Sequence, residues 1–158
     1  MFRAILFTLC AAAPALLPAA TVQEVLSKML LKNQDNHFRY KVFGLHITSD
    51  ILLPELLAEN DKHAPAEASI IIGKTPAHID GATEQAQRYQ LANNHFLFQI
   101  PGVGSYYVTH GNRIVVEPAE QAKEVFVRLF LLGTAFGALL MQRGILPIHG
   151  SAVVFGGR

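Results

Sequence analysis

The chain has 158 residues, room for one good core or for one small domain with part of another, and too few for two ordinary independent domains. Hydrophobic residues make up 51% and charged residues 16%, which excludes a disordered chain and implies apolar surface that normally meets something else. Thirteen basic against twelve acidic side chains give a formal charge of +1, so no electrostatic footprint points to nucleic acid or an anionic membrane.

Residues 1–20 read as a leader or signal-like segment: Met1-Phe2-Arg3 is a short basic start, followed by an apolar run ending in small residues. Pro14 and Pro18 interrupt that run, and an apolar N-terminal helix is the alternative. The single cysteine, Cys10, has no partner for a disulfide, and Leu9 before it is too large for lipid attachment. Residues 21–35 form the next unit. Val22, Val25, Leu26, Met29 and Leu30 recur at helical spacing opposite Gln23, Glu24, Lys28 and Lys32, which predicts an amphipathic helix.

The period changes to two at residue 36, where a β-rich unit, 36–118, begins. Phe38, Tyr40 and Val42 alternate with polar neighbours, Gly44 interrupts as a bulge, and Leu45 and Ile47 resume the strand. Residues 68–72 form a β-branched run before turns at 74–76 and Asp80-Gly81. Three strands follow at 96–100, 105–109 and 113–116, divided by Pro101-Gly102-Val103-Gly104 and by Gly111-Asn112, and these predict an antiparallel meander. Pro118 at a first helical position and Gly144 past the end bracket a helix over 119–143, the core of a unit 119–144. Its apolar stretch 129–141 predicts a buried central helix, in which Gly133 and Gly137 let another backbone approach. Residues 145–148 and 151–155 then read as the start of another strand or of a hairpin.

The candidate chemistry is thin. Gly73-Lys74-Thr75 has the ending of a phosphate-binding loop, but Ala68 stands where the motif needs its first glycine and the intervening residues are strand-like. The seven histidines, His37, His46, His63, His78, His95, His110 and His149, include no two at the spacing that sets metal ligands on one helical face. Ser49, Ser105 and Ser151 lack a glycine-bracketed nucleophile elbow, and the carboxylates are scattered. No cofactor-binding or metal-ligating residue is nominated.

Residues 40–158 resemble the N-terminal part of HPr serine kinase-like P-loop proteins. The resemblance is carried by Tyr40-Lys-Val-Phe-Gly-Leu-His-Ile-Thr-Ser49, Leu53-Pro54-Glu55-Leu56, Pro101-Gly-Val-Gly104, Gly111-Asn-Arg-Ile-Val-Val-Glu-Pro118 and, most specifically, the block from Leu132-Gly133 through Gln142-Arg-Gly-Ile-Leu-Pro-Ile-His-Gly-Ser-Ala-Val153. In that family a leucine-rich helix leads through such a cap to a strand carrying His-x-Ser-Ala, and a glycine turn then feeds the Walker A loop. His149, Ser151 and Phe155-Gly156-Gly157-Arg158 match this pattern.

The resemblance implies an α+β chain with an antiparallel β-rich N-terminal domain, a long buried helix and, from 145–158, the start of a P-loop kinase core truncated before its phosphate loop. It implies ATP-dependent phosphorylation of a protein serine, such as that of a phosphocarrier, with ATP and Mg as cofactors of the full-length family. No phosphoryl transfer is expected of this chain alone, because the nucleotide-handling residues of that activity lie beyond Arg158. Only His149 carries over, as a residue near the active site of the full-length protein or as a structural histidine holding a strand end. The partners implied are the missing C-terminal kinase core and a serine-bearing substrate, with self-association of the uncovered chain. The need for ATP favours the cytoplasm, against export through residues 1–20. The competing class is a self-sufficient, non-enzymatic β-rich binding or scaffold domain.

Overall fold

The computed structural model describes residues 4–7, 37–61, 63–82, 84–86 and 88–149, with backbone only for 4–7, 84–86 and 149. The amphipathic helix expected over 21–35 and the strand expected at 151–155 fall outside the described residues. Residues 4–7 of the expected leader form a short strand, β1 (Ala4–Phe7), so at these positions the backbone is extended rather than helical.

The body of the fold is built by β2 (Phe38–Val42), β3 (Leu45–Ser49), β4 (Ala68–Ile72), β5 (Glu84–Ala86), β6 (Tyr89–Ala92), β7 (His95–Ile100), β8 (Gly104–Thr109) and β9 (Arg113–Pro118). They make one eight-stranded sheet in the order β2-β3-β4-β9-β8-β7-β6-β5. The chain is α+β. The expectation of an antiparallel domain is corrected: β4 runs parallel to both β3 and β9, so the sheet is mixed. The cause is the long excursion after β4, in which the whole β5–β8 meander is made before β9 returns beside β4 with Ile70 opposite Ile114.

Gly44 is a turn rather than a bulge. Phe43 and Gly44 both have positive φ, 53° and 79°, and they close an antiparallel hairpin in which Tyr40 faces Ile47. Two consecutive left-handed residues match the twist of the flanking strands, which is why a two-residue loop suffices. The meander β7–β9 forms as predicted. The strands β5 and β6, and the Asn93-Asn94 turn that joins β6 to β7, are additions, because the sequence around them alternates too weakly to announce strands.

The helix also differs from its prediction. Pro118 ends β9 opposite Gly104 instead of opening a helix, and Ala119 N–H bonds back to Val103 C=O at 3.0 Å. Proline is tolerated at a strand end that asks no donor of it. α1 (Glu124–Phe130) follows, then a wider π-helical turn (Leu131–Ala135) and α2 (Phe136–Gln142), with Gly144 (φ 73°) terminating it as expected.

The core lies between this helix and one face of the sheet. Tyr40, Ile47, Ile70, Phe98, Tyr106, Val108, Ile114 and Val116 meet Val127, Leu131, Ala135, Phe136, Leu139 and Leu140. The helix is therefore buried along one stripe, not all round. Val125, Phe126 and Leu129 remain exposed, as does Met141 at 63%. By length and composition Glu124–Gln142 could cross a membrane, but its packed stripe serves the core. Gly133 and Gly137 admit no close backbone: a Cβ at Gly133 would meet nothing within 4 Å, and one at Gly137 would only touch Pro147 at 4.0 Å. Beyond the helix, β10 (Leu146–His149) stands outside the main sheet and pairs in parallel with β1, Leu6 opposite Ile148.

Candidate functional site

Among the described residues, a concave site lies at one end of β4, β8 and β9. A cleft of about 480 Å³ is lined by the side chains of Thr75, Arg88, Gln99, Ser105 and Glu117, with Pro76, Pro101 and Pro118 among its walls. The parallel pairing of β4 with β9 brings Thr75, just past β4, beside Glu117 near the end of β9. Glu117 Oε2 accepts from Thr75 N–H at 2.8 Å and from Thr75 Oγ1 at 3.0 Å, and Oε1 takes the Lys74 ammonium at 2.7 Å. The Lys74 hydrogen bond and then the Thr75 amide hold the Glu117 carboxyl below its ordinary range. Thr75 has one hydroxyl proton; with that proton on Glu117, Ser105 Oγ, 2.7 Å away, donates to Thr75 and keeps its own lone pairs for the cleft.

This arrangement explains why Gly73-Lys74-Thr75 makes no phosphate cradle. Gly73 N–H bonds Val116 C=O at 3.0 Å, while Thr75 N–H and Lys74 Nζ are taken by Glu117. The Gly73 and Thr75 amides are engaged, and a carboxylate stands where a phosphate would have to sit. Chemically, the cleft can accept a small polar ligand by hydrogen bonding. Ser105 Oγ bonds the Thr75 hydroxyl at 2.7 Å, and among the described residues no imidazole hydrogen bond to it is seen.

The segments of the family resemblance serve packing. Leu53 is fully buried and its N–H bonds Tyr40 OH at 2.8 Å, while Glu55 pairs with Arg128 of α1 at 2.8 Å. Gln142 and Arg143 hold the β8–β9 turn from the helix end: Gln142 Oε1 accepts Gly111 N–H at 2.8 Å, and Arg143 donates to Gly111 C=O at 2.9 Å.

His149 ends β10 with its backbone opposite Phe7, and its side chain lies outside the described residues. Three of the other histidines meet carboxylates. His37 meets Asp50 at 2.8 Å and His78 meets Asp80 at 3.0 Å. His46 Nδ1 lies 2.8 Å from Glu59 Oε2, a close contact without hydrogen-bond alignment. Glu59 is held low first by the backbone amide of Asp61. His95 and His110 are brought together, with ring centres 4.8 Å apart.

Sequence reading missed Arg88, Gln99 and Glu117 because the cleft joins segments whose adjacency depends on sheet order. Only the polar Lys74-Thr75 after an apolar strand hinted at it. Comparison with protein-family models, with curated proteins and with solved structures finds no match in any of the three.

Proposed function

We propose that the chain is the N-terminal part of an HPr-kinase-like, ATP-dependent protein serine kinase, and that it serves as a non-catalytic domain against which a P-loop core packs. The observation that carries this reading is the parallel β1–β10 pair beside α2. Parallel strands are ordinarily covered on both faces, yet Leu146 is 54% and Ile148 is 41% exposed, next to the exposed Met141. Such a pair is suited to be the start of a larger parallel sheet, the layer in which a P-loop strand would lie. The segment bearing it, Gln142 to His149, belongs to the most specific block of the resemblance.

In this reading His149, at the end of β10, sits near the active site of the full-length protein. ATP and Mg bind the kinase core, the phosphoacceptor is a serine of a protein such as a phosphocarrier, and the setting is cytoplasmic. The chain alone transfers no phosphoryl group, in keeping with the engagement of the Gly73 amide by Val116 and of the Thr75 amide by Glu117.

The test has two arms. Sequencing the gene past the codon for Arg158 is expected to reveal a glycine-rich segment with Gly-Lys-Ser/Thr. Restoring that segment is expected to give ATP–Mg-dependent serine phosphorylation that the chain alone lacks. Saturable ATP–Mg binding by the chain alone, lost in Lys74→Ala, would overturn the reading. A second reading, a self-sufficient binding domain, is favoured by the cleft between Thr75 and Glu117, and a small ligand bound there by a monodisperse chain would support it.

A further inference from the structure

Two tight turns set a pair of imidazoles side by side at one end of the meander. Asn93 and Asn94 join β6 to β7 with φ of 30° and 63°, and His110 and Gly111 open the β8–β9 turn with φ of 54° and 64°. His110 N–H bonds Asn94 C=O at 3.0 Å, which clips one turn to the other. His95, the first residue of β7, faces Thr109 across the β7–β8 ladder, and His110 follows that partner at the start of the turn. A histidine in the left-handed region is uncommon, and here the conformation is what brings its ring onto His95.

Both rings are anchored through the same nitrogen. His95 Nδ1 lies 2.6 Å from Tyr107 OH, with the two ring planes only 12° apart, and His110 Nδ1 bonds Thr109 Oγ1. Each hydroxyl can accept from an Nδ1–H, and that tautomer leaves Nε2 as a bare lone-pair donor. Metal-ligating imidazoles carry this arrangement, with the nitrogen that does not bind metal donating to an oxygen that fixes the ring. An ion about 2.0–2.1 Å from each nitrogen lies about 3.2 Å from each ring centre, so two ligands 90–110° apart hold their centres roughly 4.5–5.2 Å apart. The observed 4.8 Å, with planes at 85°, falls within that window.

We propose that His95 and His110 form a site for a nitrogen-preferring divalent transition-metal ion, Ni²⁺, Cu²⁺ or Zn²⁺, bound through the two Nε2 atoms. Among the described residues no group of three His, Cys, Asp or Glu side chains is placed to hold a metal, so water fills the remaining positions. His110 is exposed and His95 half-buried, which leaves the site open to exchange. Imidazole ligands favour these ions over Mg²⁺ or Ca²⁺, which require oxygen. A bound ion would cross-link the two turns.

The experiment is calorimetric titration of the full chain, without a histidine tag, with Ni²⁺ and in parallel with Mg²⁺. One Ni²⁺ per chain and no Mg²⁺ binding are expected. His95→Ala and His110→Ala should each abolish saturation, Tyr107→Phe should weaken it about tenfold, and His78→Ala should leave it unchanged. Amide resonances of the wild-type chain provide a readout independent of any variant's folding, since Cu²⁺ should first broaden those around residues 94–95 and 107–111. Absence of saturable Ni²⁺ binding, its survival in both histidine variants, or broadening centred on another histidine would overturn the site.

Discussion

Tyr106 donates its hydroxyl proton to the main-chain carbonyl of Val127 at 3.0 Å, tying the middle of the sheet to α1 one turn before the helix widens. The Leu131 amide also reaches that carbonyl, so the helix bond and the tyrosine share one acceptor at the change of pitch. Tyr106 is fully buried and stacks on Phe98, ring centres 4.7 Å apart. Tyr106→Phe keeps the packing and loses one hydrogen bond, so it should cost about 1 kcal/mol. Tyr106→Ala opens the core and should cost about 3–5 kcal/mol. Urea unfolding of both variants checks the ratio, and near-equal losses would show the hydroxyl dominating over the ring.

Alkaline pH should unfold the chain through its buried phenols. Burial raises the ionisation of Tyr106, and burial likewise raises that of Tyr40, above the ordinary 10.0. A group raised in the folded state contributes stability that is whole below its unfolded value and is lost as pH climbs toward the folded one. The unfolding midpoint should therefore hold steady up to about pH 10 and fall above it. Tyr106→Phe should flatten that fall, and thermal melts across the alkaline range measure it.

Acid acts on the cleft with the opposite sign. Glu117 is lowered by the Lys74 hydrogen bond and then by the Thr75 amide, so its contribution is present above the ordinary 4.5 and disappears as pH drops through the folded value. Glu117→Gln keeps an acceptor for Thr75 but no longer titrates, so its stability should depend less on pH over about 3–6 than that of the wild type. Lys74 is 91% exposed, and Lys74→Ala should cost no more than about 1 kcal/mol. A Lys74 variant as damaging as Glu117→Ala would mean that the ion pair, rather than the Thr75 bonds, holds the exit of β4.

Two glycines should respond in opposite directions. Gly104 has φ 152° and a Cβ there would sit 2.6 Å from Glu117 C=O, so Gly104→Ala must distort the β8–β9 ladder and should cost about 2 kcal/mol or more. Gly133 lies in the helix with open space around it, and Gly133→Ala should gain about 0.5–1 kcal/mol from reduced unfolded-state freedom. Denaturant midpoints of the two variants supply the comparison.

Periodicity made the strands legible wherever one face is buried. Phe96, Phe98, Tyr106, Val108, Ile114 and Val116 alternate because they line the face under the helix. Residues 84–92 serve the edge of the sheet, where burial imposes little pattern, and their strands went unread. Pro118 fitted a helix start as well as a strand end, and only its pairing with Gly104 decides between them. The cleft was illegible for a topological reason: Thr75 and Glu117 are 42 residues apart and meet because β4 and β9 are parallel neighbours. His95 and His110 escaped a search for helical ligand spacing because a hairpin, not a helix, makes them neighbours.

A row of apolar side chains stays exposed on the helix and β10. Val125, Phe126 and Leu129 project from α1, Met141 from α2, and Leu146 and Ile148 from β10, each between 41% and 63% exposed. At about 25 cal/mol per Å², each such side chain forgoes on the order of 1 kcal/mol of burial. Together they approach the several kcal/mol that is the whole stability of a small domain. In isolation the chain should therefore self-associate in a concentration-dependent way, seen by sedimentation velocity of the full chain. The double substitution Phe126→Glu with Leu129→Lys places opposite charges on the exposed side of α1 and leaves the packed stripe of Val127, Leu131 and Leu139 untouched. It should shift the chain to monomer while lowering thermal stability little, since neither side chain is in the core. On the kinase reading proposed above, restoring a downstream core should suppress association in the wild type as well. A wild-type chain that stays monomeric at every concentration and unfolds in one concentration-independent transition would favour the self-sufficient β-rich domain over the kinase reading.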